Sequence, residues 1–389
     1  MNKIYFDQAS TSYPKAPGVA DAMVQYLTQV GANINRGCYE SAYSAEEVVL
    51  ETRELLCGLF HFNRSKNVIL TGNVTTSLNM ILKGFLKPGD HVLVSSMEHN
   101  AVMRPLVQLA AEGVSFDRIP CRSDGSMVVE AVEGLITPRT KAIVTLHASN
   151  VCGTRMPLRE LGEICRRHHL FFIVDAAQTA GSVPIDMEAL HIDGLAFTGH
   201  KGLRGPQGTG GFLVTDELAE QMEPLISGGT GSISHTEEVP AFLPDRFEAG
   251  TPNLPGIFGL HAALLYLQEN SMEAILKKEL ELTGYFLERL LEMDEKEKYV
   301  KIIGKKDLAD RNAVVSIQTP GMDMADAAWQ LDDSFGIMTR VGLHCAPNAH
   351  KTLLTYPAGT IRFSFGPENT TDEVDAAVDA LRKILGKGI

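Results

Sequence analysis

Phe171–Gln207 reads FFIVDAAQTAGSVPIDMEALHIDGLAFTGHKGLRGPQ. Two short apolar runs in it, Phe171–Val174 and Gly194–Phe197, each end in polar residues. Runs of this kind are typical of buried strands in a parallel sheet. Ligands of such sheets bind beyond the carboxyl ends of the strands. The pattern therefore predicts that Asp175 and Lys201 face one crevice.

A lysine and a carboxylate in one crevice suit pyridoxal 5'-phosphate (PLP). This cofactor requires a lysine with which it forms a Schiff base and an acid that faces its pyridine nitrogen. We predict that Lys201 is the lysine and Asp175 the acid, with Gln178, Thr198 and His200 beside them. The alternative is that Lys201 is a solvated loop lysine and Asp175 a turn former.

The two motifs VDAAQ and FTGHK resemble the class V aminotransferase group of PLP enzymes and, within it, the cysteine desulfurases. The resemblance runs from about Tyr5 to Ile384. It implies an α/β protein of the PLP-transferase fold type I, whose large domain has a mostly parallel sheet flanked by helices. We expect this PLP-binding domain to span residues 15–258. Residues 1–14 and 259–389 would form a smaller, C-terminal α/β domain.

The composition is that of an ordinary globular enzyme. Of the 389 residues, 44% are hydrophobic and 21% charged, and the net charge is −13. This charge argues against non-specific nucleic-acid binding, which needs a basic face. No signal peptide or membrane-spanning stretch is expected. The six cysteines include no CxxC pair, so we expect neither a disulfide framework nor a metal site, but a cytoplasmic enzyme with reduced thiols.

A phosphate site is predicted where the strand Val68–Leu70 leads through TGNVTTSLN into a helix. Backbone N–H groups and the helix dipole favour an anion there, with Val74, Thr75 and Thr76 as contacts. No GK[ST] sequence follows, which excludes a nucleotide-binding P-loop. The motif alone is weak, because Thr and Ser cap many helices. Its position before the Asp175–Lys201 pair resembles the phosphate cup of the family.

Two further cofactor contacts follow from the resemblance. His99, in an EH(H/N)-type motif, would stack on the pyridine ring. Asn150, in an SNxxGT motif, would donate to the phenolate oxygen of the cofactor or to the substrate carboxylate. The alternatives are a surface histidine at a helix start and an ordinary turn residue.

Two loops resemble family elements at the edge of the site. Residues 246–253, RFEAGTPN, imply that Thr251 reaches the cofactor phosphate of the partner subunit, and hence that the protein is a homodimer. Asn35 and Arg36, in NINRG, match a segment near the substrate entrance. The alternatives are a loop that precedes the helix starting near Asn253 and, for NINRG, an ordinary solvated loop.

The residues expected to determine which reaction the protein catalyses are Arg340–Pro347, RVGLHCAP. A loop cysteine near Arg340 and His344 is placed to attack as a thiolate. The stretch resembles the RxGHHCA motif of type II cysteine desulfurases, with Leu343 in place of the first histidine. Gly342 and Pro347 indicate a loop, which we take to run through Arg340–His350.

The C-terminal part shows longer amphipathic helices, such as Met272–Met293, that alternate with short strands at Ala313–Gln318 and Ile361–Phe365. Arg362 in the last strand matches the family arginine that binds the α-carboxylate of the substrate. Its guanidinium fork suits bidentate pairing with a carboxylate. A surface arginine on a strand is the alternative.

The resulting hypothesis is a PLP-dependent cysteine desulfurase. Lys201 would take the α-proton of L-cysteine, and Cys345 would attack the substrate sulfur, which leaves L-alanine and a persulfide on Cys345. His99 or His344 would carry protons, Arg340 would contact the substrate, and a sulfur-acceptor protein would take the persulfide.

Two other hypotheses remain open at this point. One is a PLP-dependent lyase that acts on selenocysteine, cystine or another sulfur compound; because selenide is a better leaving group, Cys345 could be dispensable with selenocysteine. The other is a non-catalytic binding protein that keeps the fold.

Overall fold

The computed structural model describes residues 3–35 and 37–386. Its strands are β1 (Ile4–Tyr5), β2 (Val68–Thr71), β3 (His91–Ser95), β4 (Ser115–Ile119), β5 (Thr140–Leu146), β6 (Phe171–Asp175), β7 (Gly194–Thr198), β8 (Gly210–Val214), β9 (Lys301–Ile303), β10 (Val314–Gln318), β11 (Ile337–Met338), β12 (Arg340–Gly342) and β13 (Thr360–Ser364).

The α-helices are α1 (Val19–Gln25), α2 (Glu40–Leu59), α3 (Val74–Phe85), α4 (Asn100–Ala110), α5 (Val132–Leu135), α6 (Leu158–His168), α7 (Asp216–Gln221), α8 (Leu254–Glu269), α9 (Met272–Met293), α10 (Met324–Phe335), α11 (Pro347–Thr352) and α12 (Thr371–Leu385). A π-helical segment, Tyr26–Val30, continues α1. No helix within residues 3–35 or 37–386 has the length and apolarity needed to span a membrane.

The central sheet has seven strands in the order β2-β8-β7-β6-β5-β3-β4. Only β8 runs against its neighbours, and the other adjacent pairs in this sheet are parallel. Strands β3, β7 and β8 are buried along their whole length. Helices that cover both faces of a mostly parallel sheet explain why these strands are buried throughout rather than at alternate residues.

The strand order reverses at β3, because β4 lies on one side of it and β5 on the other. In open α/β sheets, ligands bind beyond the carboxyl ends of the strands at such a reversal. The strands β3, β5, β6 and β7 lead at this edge into four of the polar segments singled out above. The topology therefore gathers His99, Asn150, Asp175 and Lys201 on one edge of the sheet.

A second sheet, β12-β13-β10-β9, is antiparallel throughout. Its apolar core includes Phe6, Phe286 and Phe363. Strand β1 pairs with β11, so the N-terminal segment joins this C-terminal unit. The limit at residue 258 stays a prediction; it falls within α8, whose Leu260 and Leu264 pack in the core beneath the central sheet.

The predicted helix Met272–Met293 is confirmed as α9, and the two C-terminal strands are confirmed within one residue at each end. The loop predicted over Arg340–His350 is wrong in its extent. Its first three residues form β12 by pairing with β13. Pro347 starts α11, a position where the backbone N–H that proline lacks would have no acceptor within the helix. Only Leu343–Ala346 remains a loop.

We expect Phe363→Ala to lower the free energy of unfolding by about 3–5 kcal/mol. Phe363 is fully buried and packs on Phe286, with 4.9 Å between ring centroids. Urea unfolding measures the loss. As a control, Trp329→Ala removes a side chain that is 63% exposed and should change stability by less than about 0.5 kcal/mol. Equal effects of the two changes would contradict this assignment of the core.

Candidate active site

Six residues predicted to contact a cofactor or substrate line one cavity, which has about 330 Å³ of empty space. They are Val74, His99, Asn150, Asp175, Gln178 and Lys201. We call this space the Lys201 cavity. It lies at the carboxyl edge of the central sheet, where β6 ends in Asp175 and β7 leads to Lys201.

The half-buried lysine and the buried carboxyl group in this cavity perturb one another. Burial lowers the pKa of Lys201 to about 8, while the attraction of Asp175 opposes this shift. Burial raises the pKa of Asp175, against the effect of the Ala177 N–H, which donates to its Oδ1 at 2.9 Å, and of Lys201. A lysine in this state exchanges a proton near neutral pH, as a catalytic base must.

His99 caps the N-terminus of α4, where its Nδ1 accepts the Ala101 N–H at 3.0 Å. Burial, followed by the positive charges of Lys201 and Arg104, lowers the pKa of His99 to about 4. The ring is therefore neutral at pH 7. Because Nδ1 is an acceptor, the single ring hydrogen is on Nε2.

Asn150 joins the Lys201 cavity to the C-terminal sheet. Its Nδ2 donates to the carbonyl of His344 at 2.7 Å, and its own carbonyl accepts from Nη1 of Arg362 at 3.0 Å. Its Oδ1 is buried and has no partner. A buried polar atom without a partner is uncommon in proteins, and Asn150 is one of the residues that line the cavity.

The start of α3 borders the Lys201 cavity through Val74. Asn73 caps the helix by accepting the Thr76 N–H at 2.9 Å. The N–H groups of Val74 and Thr75 belong to the first turn, where a helix provides no acceptor. They form the kind of site that binds a phosphate.

Thr76, Thr251 and Asn35 line a neighbouring cavity with about 930 Å³ of empty space. Asn35 donates from Nδ2 to the carbonyl of Thr230 at 2.9 Å, so the structure does not bring it to the Lys201 cavity. Arg36 lies outside the described residues.

The neighbours of Lys201 have structural contacts of their own. Thr198 is buried and donates from Oγ1 to the Thr209 carbonyl at 3.4 Å. Gln178 donates from Nε2 to the Ala9 carbonyl at 3.0 Å. Burial, followed by the charge of Lys201, lowers the pKa of His200 to about 4, and its Nδ1 has no partner.

The cysteine loop, Leu343–Ala346, is docked against the start of α4. The carbonyl of Cys345 accepts the Asn100 N–H at 2.8 Å, immediately after His99. His344 and Cys345 both have left-handed backbones, with φ of 48° and 57°, which cost roughly 1–2 kcal/mol per non-glycine residue. Cys345 is exposed while His344 is buried, so the loop presents the cysteine and buries the histidine.

Arg362 is almost fully buried on β13. Its Nη2 donates to Asp7 Oδ1 at 2.8 Å and to Ser10 Oγ at 2.7 Å, and its Nε has no partner. Arg340 lies opposite it in the register of β12 and β13 and donates to the same Ser10 Oγ at 2.8 Å. Two guanidinium groups thus converge on one hydroxyl.

Asp7 and Ser10 are site residues that the sequence analysis missed. They belong to the N-terminal segment YFDQAS, and their contacts with Arg362 join residues more than 350 positions apart. No periodicity or spacing links such distant positions. Within the described part of the chain, no group of three or more His, Cys, Asp or Glu residues is placed to hold a metal ion.

We expect the rate at which Lys201 captures added PLP to rise with pH up to about 8 and then to level off. The neutral amine is the nucleophile, and burial increases its fraction at a given pH. Growth of the cofactor absorbance band after mixing measures the rate, with Lys201→Ala as the control that shows no capture. A rate that still rises at about pH 10, as for an unperturbed lysine, would contradict the burial effect.

Comparison with known proteins gives a consistent result. Residues 4–377 match the family model for aminotransferase class-V. A probable cysteine desulfurase from Halalkalibacterium halodurans is 33% identical over 98% of this chain and 92% of its own length. One from Methanothermobacter thermautotrophicus is 31% identical over 99% of this chain and 95% of its own length.

Solved structures agree with this. The apo cysteine desulfurase from Thermococcus onnurineus superposes with a TM-score of 0.92 at 32% identity, over 98% of this chain and 94% of its own. A cysteine desulfurase from Escherichia coli gives a TM-score of 0.88 at 29% identity, with the same two coverages.

Proposed function

The chain belongs to the class-V aminotransferase family and, within it, to the cysteine desulfurases, and on this basis we propose that it is a PLP-dependent cysteine desulfurase. It converts L-cysteine to L-alanine and retains the sulfur as a persulfide on Cys345. The observation that carries the proposal is the double role of Asn150. This residue lines the Lys201 cavity and bonds to both the cysteine loop and Arg362.

The residues present fit PLP. A half-buried lysine and a buried carboxyl group share one cavity, a neutral imidazole lies in its wall, and the free N–H groups of a helix start border it. The unpartnered Oδ1 of Asn150 marks a polar position that a ligand can fill. When bound, PLP supplies an acceptor for the electron pair that is left when the substrate loses its α-proton.

Arg362 is suited to orient the substrate. Its Nε is buried without a partner, so an incoming α-carboxylate meets a donor that nothing else satisfies. Asp7 and Ser10 hold the other end of the guanidinium in a fixed plane. Pairing with a carboxylate then costs little side-chain entropy.

Lys201 is the base in this proposal. Its pKa of about 8 allows Nζ to accept the α-proton near neutral pH and to return it later. Proton transfer is most effective when the pKa of the base lies near the working pH. Asp175 keeps this range accessible, because its charge opposes the lowering caused by burial.

Cys345 is the nucleophile. Its thiolate attacks the sulfur of the substrate, so that an S–S bond forms while the C–S bond breaks. The electron pair of the broken bond stays with the β-carbon, which takes up a proton on the way to alanine. His99, with its hydrogen on Nε2 and its place in the cavity wall, is the proton donor that we favour.

The proposal extends to two partners. Exposure of Cys345 lets a sulfur-acceptor protein reach the persulfide. A homodimer, with Thr251 next to the cofactor phosphate of the partner subunit, would complete the site. In support, Thr251 lines a cavity together with Thr76 at the start of α3.

We expect Cys345→Ala to bind PLP like the unaltered protein and to lose at least about 100-fold in sulfur-transfer rate, since it lacks the attacking group. Absorbance of the bound cofactor and release of sulfide with a thiol reductant are the two readouts. Cys121→Ala, which removes a half-buried cysteine, serves as the matched control and should retain activity. Unchanged turnover in Cys345→Ala would remove Cys345 from the mechanism.

A further inference from the structure

Lys15 is a half-buried lysine that is surrounded by neutral oxygen atoms. Its Nζ donates to Thr11 Oγ1 at 2.9 Å, to the His200 carbonyl at 3.1 Å and to Ser12 Oγ at 3.3 Å. Burial, followed by the charge of Arg204, lowers the pKa of Lys15 to about 8, and within residues 3–35 and 37–386 no carboxylate offsets these effects. A charge in such a place is costly, and its three bonds indicate what it holds.

The His200 carbonyl, on which the N-terminal segment converges, belongs to the peptide that joins His200 to Lys201. Its oxygen lies 2.9 Å from the Ser12 N–H, 3.1 Å from Lys15 Nζ and 3.1 Å from the Thr11 hydroxyl. A peptide unit is planar, so fixing this oxygen also fixes the direction of the backbone nitrogen of Lys201. The point from which the Lys201 side chain starts therefore depends on the N-terminal segment.

The other side of Lys201 is held through Arg204. The Lys201 carbonyl accepts the Arg204 N–H at 2.8 Å, and the Arg204 carbonyl accepts the Ala16 N–H at 3.1 Å. Arg204 is buried with a left-handed backbone, at a φ of 60°, and its Nη2 donates to the Pro14 carbonyl at 3.3 Å. A left-handed backbone at a non-glycine residue persists only where the surroundings determine it.

The segment Thr11–Ala16, which we call the N-terminal strap, thus holds the loop His200–Arg204 before and after Lys201. Strand pairing does not reach this loop, because β7 ends at Thr198. The strap is therefore a main support of the Lys201 backbone.

Lys15 makes the strongest side-chain bond between the strap and this loop. A carbonyl oxygen has two lone pairs. The Ser12 N–H, which is the nearest donor of the His200 carbonyl, takes one of them, and Lys15 competes with the hydroxyls of Thr11 and Ser12 for the other. The ammonium group is favoured, because charge-assisted hydrogen bonds are roughly twice as strong as neutral ones. Both hydroxyl oxygens also accept from Lys15, so this one group orders every side-chain donor around the carbonyl.

We propose that Lys15 is a positioning residue for Lys201, in that its ammonium group holds the peptide between His200 and Lys201 and so sets where the Lys201 side chain enters the Lys201 cavity. The role of Lys201 as the lysine that captures the cofactor and takes the α-proton rests on the function proposed above. The hydrogen bonds that hold the loop do not depend on that role.

Position matters for Lys201 because Nζ lies at the end of a flexible four-carbon chain. A small rotation of the preceding peptide moves the amine away from its place beside Asp175. Displacement of a reacting group by about 1 Å can cost roughly 100-fold in rate. Support of the backbone is the means by which a distant lysine can affect the reaction.

The direct test is the maximal rate of PLP capture by Lys201 at saturating PLP. Lys15→Met removes all three donors at a similar side-chain length, Lys15→Arg keeps charge and donors, and Lys66→Met, which removes an exposed lysine, is the matched control. We expect a loss of at least about tenfold in Lys15→Met and rates within about threefold of the native rate in the other two variants. A merely structural role would lower stability and leave the rate of the folded protein unchanged. An unchanged maximal rate in folded Lys15→Met would overturn the proposal.

The pH profile of capture separates positioning from electrostatics. The charges that most affect Lys201 are those of Asp175 and Arg362. We therefore expect Lys15→Met to lower the plateau of the profile while the midpoint remains at about 8. A midpoint moved by about one pH unit or more with an unchanged plateau would show that Lys15 acts through its charge on Lys201, against the proposal.

Hydrogen exchange tests the hold on the loop directly and without the cofactor. The Ser12 amide donates to the His200 carbonyl, and we expect it to exchange at least about tenfold faster in Lys15→Met and within about threefold of the native rate in Lys15→Arg. Thr11→Val tests the competing hydroxyl and should have a smaller effect than Lys15→Met. Faster exchange in Thr11→Val than in Lys15→Met, or equal protection in all variants, would contradict the role of Lys15.

These readouts distinguish failure of this inference from failure of the proposed function. If the unaltered protein does not capture PLP, or forms no alanine, the proposed function fails and hydrogen exchange still decides the role of Lys15. If Lys15→Met does not fold, as shown by circular dichroism, Lys15→Gln replaces it. That variant keeps a neutral donor on a shorter side chain, and we expect at least about a threefold loss in the maximal capture rate; no loss would overturn the proposal.

Discussion

The hydrogen bonds of Asn150 are the constraint on which this site depends. Asn150 follows β5 of the central sheet, yet its side chain holds the His344 carbonyl and its backbone holds Arg362. One residue thus sets the cysteine loop and the arginine relative to the Lys201 cavity. A second bond, from the Asn100 N–H to the Cys345 carbonyl, fixes the loop against the start of α4. The bonds to the His344 and Cys345 carbonyls therefore hold the loop at two successive residues.

Burial determines the chemistry of the groups so arranged. It disfavours charge on Lys201, His99 and His344 and lowers the pKa of each. The effect on Lys201 is limited by Asp175, so that the pKa of the lysine stays at about 8. The two histidines have no such partner and stay neutral. The same desolvation therefore favours the neutral form of the lysine and of both imidazoles.

The two strands that carry the central pair of site residues were predictable from the sequence. Apolar runs that end in polar residues located β6 and β7, and thereby Asp175 and Lys201. The contacts of Arg362 with Asp7 and Ser10 were not predictable, because they depend on how the N-terminal segment folds back on the C-terminal sheet. The loop around Cys345 was predicted too long, since strand pairing and a proline at a helix start are decided by tertiary contacts.

The central claim is that L-cysteine loses its sulfur to Cys345 rather than by elimination. The most direct measurement incubates the PLP-loaded protein with L-cysteine and quantifies alanine against pyruvate. Alanine, with persulfide on Cys345 found by mass spectrometry of the intact chain, is the predicted result. Pyruvate and ammonia, with Cys345 unmodified, would contradict the account, because elimination does not use a protein thiol.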